Sequence, residues 1–303
     1  MTISATRLAL PLPWGGLVYP TLIQRGKTRV LIDCGHSSKA SRAALLKALK
    51  GKAPDLLIIT HAHQDHYGGL PALLDAYPDL PVYAARCAQP YYEDQQRTVM
   101  QHHAHLKAFS QRMGLNEAIS KQVLSGFEKI ANSGCGTSLA RLLDDGDRLD
   151  IDGIELRVHH HPGHHHHHLV LQLPQSGQLI TGDNIFATHL TPPQVRFGDD
   201  GQRLADLPLL LESLQKLADI GGHALPSHGE ELPDVRSVAL NSKAAYERTA
   251  ERVRKAMATH QNAPKLEELL SQVFGKVPVD FIGLRLGFLL GYADWVGAGE
   301  NYR

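Results

Sequence analysis

The apolar run PDLLIIT leads directly into HAHQDHYGG, so one buried strand has to end where His61, His63, Asp65 and His66 begin. A continuously apolar strand needs sheet neighbours and cover on both faces. The imidazoles and the carboxylate at its C-terminal end need water or a cation. Side chains two apart in an extended segment point the same way, so His61 and His63 suit one ion, and the following turn can aim Asp65 and His66 at a second. Neutral imidazole and carboxylate fit zinc first, with iron or manganese as alternatives. A polar loop whose histidines cap a helix is the competing explanation, and the density of ligand-type residues argues against it.

The flanking pattern places this strand in an α/β chain. LVYPTLIQ and TRVLIDCG read as a hairpin joined by Arg25-Gly26-Lys27, SKASRAALLKALKG as a helix with a terminal glycine, GGLPALLDAYP as another helix and PVYAA as a short strand. From about 91 to 140 the chain becomes Gln-, His- and Lys-rich with helical character, an insertion between strand-rich regions. Strands return in DRLDIDGIELRVHHHPG, HLVLQLP and QLITGDNIF; LADLPLLLESLQKLADIG then leads as a helix to HALPSHGEE. From about Val235 onward everything reads as helix. The order predicts a catalytic domain over 1–235 and a helical C-terminal cap over 236–303.

Composition narrows the class. A chain of 303 residues can bury a substantial core, and the 31 basic and 31 acidic residues balance, so no general attraction to nucleic acid or an anionic membrane is expected. The 19 histidines are the outlier, clustered at 61–66, 102–105 and 159–168, a pattern that suggests metal. Cys34, Cys87 and Cys135 are odd in number, far apart and without a CxxC pair, which fits reduced thiols. No apolar run reaches the roughly 18 residues of a membrane helix. MTISATRLALPLPWGG lacks a basic n-region and a cleavage site. A cytoplasmic protein is expected.

His61-Ala62-His63-Gln64-Asp65-His66 matches in full the HxHxDH signature of the metallo-β-lactamase-fold hydrolases, and the chain resembles that superfamily elsewhere too. LIDCG resembles its early strand ending in Asp, which implies Asp33 as a support for the metal loop. HPGHHHHHL resembles TPGHxxGHL, which implies His164 as third ligand of the first metal and His168 as the second, non-ligand histidine. His165, His166 and His167 stand where relatives carry small residues, Pro or Gly, and a register one later would make His165 the ligand. TGD implies Asp183 as the bridging carboxylate, and LPSHGE implies His228 as the last ligand of the second metal. The resemblance therefore implies a metallo-β-lactamase-like αββα sandwich with a helical insertion and cap. It would carry two divalent ions on His61, His63, Asp65, His66, His164, Asp183 and His228.

Water held between two cations loses a proton near neutral pH, and the resulting metal-bound hydroxide attacks while the metals take up the developing charge. Asp65 and Asp183 are the candidate catalytic carboxylates, orienting or accepting that proton. The expected reaction is hydrolysis of a thioester or ester, with lactone, amide or phosphodiester as alternatives. An Asp bridge resembles the thioesterase, lactonase and nuclease branches more than most true β-lactamases. The helical tail is similar to that of β-lactamase-like endoribonucleases. Together with the insertion, LEELLSQVFGKVPVDFIGL resembles more closely the quinolone-signal thioesterases, which act on an aryl-acyl-CoA.

A small-molecule acyl substrate is thus favoured. Single-stranded RNA would want phosphate-binding Lys/Arg and stacking aromatics near the site, whereas YERTAERVRKAMATH interleaves its basic residues with acidic ones. A non-enzymatic, metal-bound signalling protein is a third class, disfavoured by the complete ligand set. The capping helices could close the site or form a homodimer face.

Beyond the ligands, Tyr67 and His189 are candidate substrate contacts by their position after the metal motifs. Phe274, Phe281 and Phe288 read as helix core first and as channel lining second. His102, His103 and His105 read as a solvated helix face. His159 to His161 and His165 to His167 read as solvated or supporting side chains, not a further metal site.

Overall fold

Leu169, Leu171 and Leu173 lie in one hydrophobic core and Val170 between them in another. That is the period-two alternation of a strand with an apolar layer on each face. The computed structural model describes residues 2–131, 136–260, 264–277 and 282–297. One sheet runs in chain order: β1 (Ile3–Arg7), β2 (Thr21–Arg25), β3 (Thr28–Ile32), β4 (Leu56–Ile59), β5 (Val82–Ala85) and β6 (Arg141–Leu143). The other comprises β7 (Arg148–Ile151), β8 (Ile154–His160), β9 (Leu169–Leu173), β10 (Gln178–Gly182) and β11 (His223–Pro226), ordered β11-β10-β9-β8-β7.

The expected hairpin is β2 and β3, with Arg25 opposite Thr28 across Gly26-Lys27. β3 to β6 are parallel. β4, the apolar run before the histidines, is buried at every position, so the first sheet is covered on both faces. Residues of both sheets, such as Ile58 and Leu171, share the inner core. Lys39–Leu49 and Leu70–Ala76 add Leu45, Leu49, Leu70 and Leu73 to it. The far face of the second sheet, with Val170, Leu179 and Ala224, is covered by Asp206–Ile220 and Val235–Ala258. The result is an αββα sandwich in which the ends of β3, β4, β8, β10 and β11 bear the singled-out residues.

The insertion contains two long helices, Gln95–Arg112 and Glu117–Ala131, packed on each other. The tail contains Val235–Ala258, Leu266–Phe274 and Ile282–Trp295. Its last helix packs against Glu117–Ala131 as well as Asp206–Ile220 and Val235–Ala258, so insertion and tail meet each other and share the core behind the second sheet. Two short ribbons were not legible in the sequence, Leu10–Pro11 with Leu17–Val18 and Arg196–Phe197 with Arg203–Leu204.

Among the described residues Cys34 and Cys87 are not joined in a disulfide; Cys135 and Phe281 lie outside the described residues. Among the described residues no helix is long and apolar enough to cross a membrane.

Candidate metal centre

β4 ends at Ile59, and the chain then delivers Thr60 and His61 before a single helical turn, Gln64–Tyr67, swings Asp65 and His66 round. This turn is held tightly to the end of β3. A Cβ placed on Gly69 would lie 2.1 Å from the Cys34 carbonyl oxygen, so only glycine fits that approach. At the same strand end Asp33 adopts a left-handed φ of 62°. Its buried carboxylate accepts from the Thr60 amide at 2.8 Å, from Thr60 Oγ1 at 2.8 and 3.0 Å, and from His66 Nδ1 at 2.8 Å. Asp33 thereby ties both halves of the histidine motif to one point.

The remaining members arrive from the second sheet. His164 follows β8, Asp183 follows β10 and His228 follows β11. Two groups of converging ligand atoms form: His61, His63, His164 and Asp183, and Asp65, His66 and His228. In the first, His61 Nε2 and His164 Nε2 lie 3.0 and 3.1 Å from His63 Nδ1, and His164 Nε2 is 3.6 Å from Asp183 Oδ2. In the second, His228 Nε2 and His66 Nε2 lie 3.2 and 3.8 Å from the Asp65 carboxylate. Asp183 spans both groups, with Oδ1 3.4 Å from His66 and Oδ2 3.5 Å from His228.

The outer nitrogen of each imidazole fixes which nitrogen faces inward. Thr60 Oγ1 has given its proton to Asp33, so it accepts from His61 Nδ1 at 3.1 Å. His164 Nδ1 donates to the Pro192 carbonyl at 2.9 Å and His228 Nδ1 to the Leu17 carbonyl at 3.0 Å. With those protons turned outward, His61 and His164 each present an Nε2 lone pair to His63, which can donate to only one of them. His66 Nε2 and Asp183 Oδ1 are buried without a hydrogen bond. Converging lone pairs and orphaned buried polar atoms fit cations, and the outward hydrogen bonds are those that orient metal-bound histidines.

In the first group the electrostatics agree. Burial and neighbouring imidazoles push His61 well below its ordinary pKa and His63 down to about 3, which leaves both rings in the neutral form that binds metal. Burial also lowers His164, against the pull of Asp183. Burial alone would raise Asp65, but His66 and His228 hold it at about 2. Burial opposes charge on His66 as well, yet Asp183, Asp65 and Asp33 together raise it.

A family model described as the metallo-β-lactamase superfamily matches residues 13–229. The chain belongs to that superfamily. Two crystal structures frame the likeness. A metallo-β-lactamase family protein from Thermus thermophilus superimposes with a TM-score of 0.77 at 23% identity, covering 97% of this chain and 94% of that one. A protein solved in a di-iron-bound form gives 0.51 at 25% identity, covering 79% of this chain and 96% of that one.

In sequence, the lactamase-like protein adaB of Aspergillus niger is 24% identical over 272 residues, 85% of this chain and 68% of that protein. The hydroxyacylglutathione hydrolase of Hamiltonella defensa is 42% identical over 57 residues, 19% of this chain. That match spans 22% of the relative's own length. Most of the superfamily are metal-dependent hydrolases, and the His/Asp cluster here is built for a dinuclear site.

For a superfamily member, several positions depart from expectation. Tyr67, expected to touch substrate, is fully buried: the helical turn points it into the core, where its hydroxyl bonds to Tyr91 at 2.7 Å and to Gln64 at 2.9 Å. His189 is exposed and stacks on Phe186 at 4.4 Å, and Phe186 lies 6.0 Å from His228, so His189 stands at the rim. His168 accepts from the Asp183 amide at 3.1 Å and so positions that residue through its backbone.

His164, not His165, joins the ligand group. His159 and His160 lie on β8, bonded to Gln172 and to the His166 carbonyl. His161 and His165 are buried, because the β8–β9 loop folds under Gln194 and Pro192 and is not free in solvent. The solvated helix face expected at His102 and His105 is corrected as well: both line a cavity, while His103 lies 3.8 Å from Glu128.

That cavity, of about 590 Å³, opens beside His63 and His164. Its walls are Tyr91, Val99, Leu106 and Phe127 from the insertion, Val195 and Phe197 at the short Arg196–Phe197 strand, and Leu286 and Leu290 from the last helix. Phe288 does not reach it, and stacks on Tyr292 at 6.4 Å; Phe274 packs under Arg285. The insertion aromatics were missed in sequence. His102 and His105, spaced three apart on a helix with Leu106 and Phe109, were the signal available.

Two substitutions test this construction. Gly163, immediately before His164, has φ 124°, and a Cβ there would lie 2.3 Å from the Leu210 backbone nitrogen. Gly163→Ala is expected to cost about 3 kcal/mol in denaturant unfolding and to lower bound metal. Unchanged stability and metal content would refute the tight packing.

His161 is buried with Nδ1 unpartnered, and burial holds its pKa down to about 3. Unfolded, the ring titrates near 6.5, so only the unfolded chain binds this proton between those values, and stability falls as pH drops through that window. His161→Leu is expected to unfold at higher urea, by about 2 kcal/mol at pH 5 relative to its effect at pH 7.5. Equal effects at the two pH values would contradict this.

Proposed function

We propose that the chain hydrolyses acyl thioesters or esters at a dinuclear metal centre. The observation that carries this reading is the apolar cavity beside His63 and His164, walled by Val99, Leu106, Phe127, Leu286 and Leu290. An acyl chain fills such walls and its carbonyl then lies at the metal end. Among the described residues of the lining the one Lys or Arg, Arg196, is engaged bidentately by Asp206 at 2.8 to 3.2 Å, which supports an acyl substrate over a polyphosphate or RNA backbone.

When bound, two divalent cations supply Lewis acidity and a water nucleophile near neutral pH. The protein's own residues do the rest. Asp183 holds the two ligand groups together. Asp65, whose Oδ2 lies 3.2 Å from His228, is placed to take the proton of the attacking water. The cavity walls orient the acyl group and exclude bulk water, and His189 at the rim is placed to meet the leaving group.

The test is thiol release from a panel of short, long and aromatic acyl-CoA thioesters. It compares chelator-stripped protein with protein restored by zinc, iron(II) or manganese(II). Turnover that returns with metal supports the proposal. A fully metallated protein that releases no thiol above the stripped control defeats the thioester reading and turns attention to lactones and single-stranded RNA.

A further inference from the structure

His102 sits in an aromatic box. Its ring centroid lies 5.0 Å from Phe127 and 5.6 Å from Phe197. His105, one helical turn on, also stacks on Phe197, at 5.9 Å with planes 24° apart. Both imidazoles line the cavity, and the ring contacts of His102 reach the two phenylalanines, not the imidazoles of the metal end. His102 belongs to the wall built by the insertion, while His63 and His164 form the metal end.

A polar ring in apolar surroundings normally finds a partner within the protein. His103 has Glu128 within 3.8 Å, and His160 and His159 have the His166 carbonyl and Gln172. No such bond satisfies His102 among the described residues, and its nitrogens are not among the sealed, unpartnered atoms of the interior. The ring is half-buried and stands in the cavity wall. Burial lowers its pKa to about 4, so at neutral pH the ring is uncharged, with one N–H donor and one lone pair.

From this placement we infer that His102 is a specificity residue: the cavity takes an acyl group that is hydrophobic along its length and carries a hydrogen-bonding substituent, such as a hydroxyl, amino or carbonyl group, where it reaches the Phe127–Phe197 box. The inference rests on the acyl reading above and adds the chemistry of the acyl group's distal part. A few fixed polar groups in an apolar pocket set orientation and selectivity, and a buried donor left unpaired discriminates against the analogue that lacks the partner.

The test uses binding, not turnover, so it does not depend on the leaving group. Metal-loaded protein is titrated calorimetrically with matched carboxylic acids that differ only in a terminal hydroxyl or methyl. The ligands are ω-hydroxy against ω-methyl alkanoates of six to twelve carbons, and para-hydroxy against para-methyl phenylalkanoates. Over part of the length series the hydroxyl member should bind about tenfold tighter to the wild type. His102→Phe should erase or reverse that preference while still binding the methyl acids, and His102→Gln, which keeps a donor and an acceptor, should retain part of it.

Equal affinity of each pair at every length in the wild type overturns the assignment of His102. So does a preference that survives intact in His102→Phe. If no acid of either series binds, the acyl cavity and this inference fail together, whereas binding of both members alike leaves the acyl reading standing and removes only the distal contact.

Discussion

Asp183→Ala is expected to lower hydrolysis by at least about 10³-fold, the equivalent of some 4 kcal/mol of transition-state stabilisation, and to leave the protein short of metal. Its carboxylate approaches His164 at 3.6 Å, His66 at 3.4 Å and His228 at 3.5 Å, and so touches both groups of converging atoms. Removing it also leaves His66, whose charge Asp183, Asp65 and Asp33 favour against burial, with one fewer counter-charge. Metal per chain measured by mass spectrometry, alongside steady-state rates, checks the result. A variant that keeps full metal and acts within tenfold of wild type would show that Asp183 does not join the two ligand groups.

Asp33→Asn has the second largest expected effect, although Asp33 is not among the converging ligands. The substitution preserves shape, and Asn tolerates a left-handed φ, so the 62° backbone remains acceptable. What changes is the hydrogen bonding. The carboxylate accepts from Thr60 N, Thr60 Oγ1 and His66 Nδ1, and an amide must turn its NH2 toward at least one of those donors. A loss of about 3 kcal/mol in denaturant unfolding is expected, with metal affinity weakened roughly 10- to 100-fold as an orienting partner is lost. Competition with a chromophoric chelator gives the affinity. Weakened stability with unaltered affinity would make Asp33 a prop for the fold alone.

The candidate ligands that the fold brings together were legible because they combine a chemical type with a position. Buried strands end at Ile59 and Gly182, and polar residues that follow at once must face a common edge. The hydrogen bonds that orient the rings were not legible, since Pro192 and Leu17 act through backbone carbonyls and any side chain there would serve. Tyr67 departs from expectation because nearness in sequence to the motif is not nearness to the cavity: the turn at Gln64–Tyr67 rotates it into the Tyr91–Tyr92 cluster. His102 and His105 depart from expectation for the opposite reason. A helix rich in polar residues looks solvated until Phe197, almost a hundred positions away, comes to stand against it.

The candidate metal ligands and most of the cavity walls come from different stretches of chain. The former hang from strand ends of the sandwich, the latter largely from Gln95–Arg112, Glu117–Ala131 and Ile282–Trp295. Because Glu117–Ala131 and Ile282–Trp295 also pack on one another, they form a matched pair. Such a protein can be re-tasked as a tool is, by changing the jaw and keeping the handle. Exchanging both helical segments together for those of another sandwich should transplant its selectivity, whereas exchanging either alone would leave two surfaces that no longer fit.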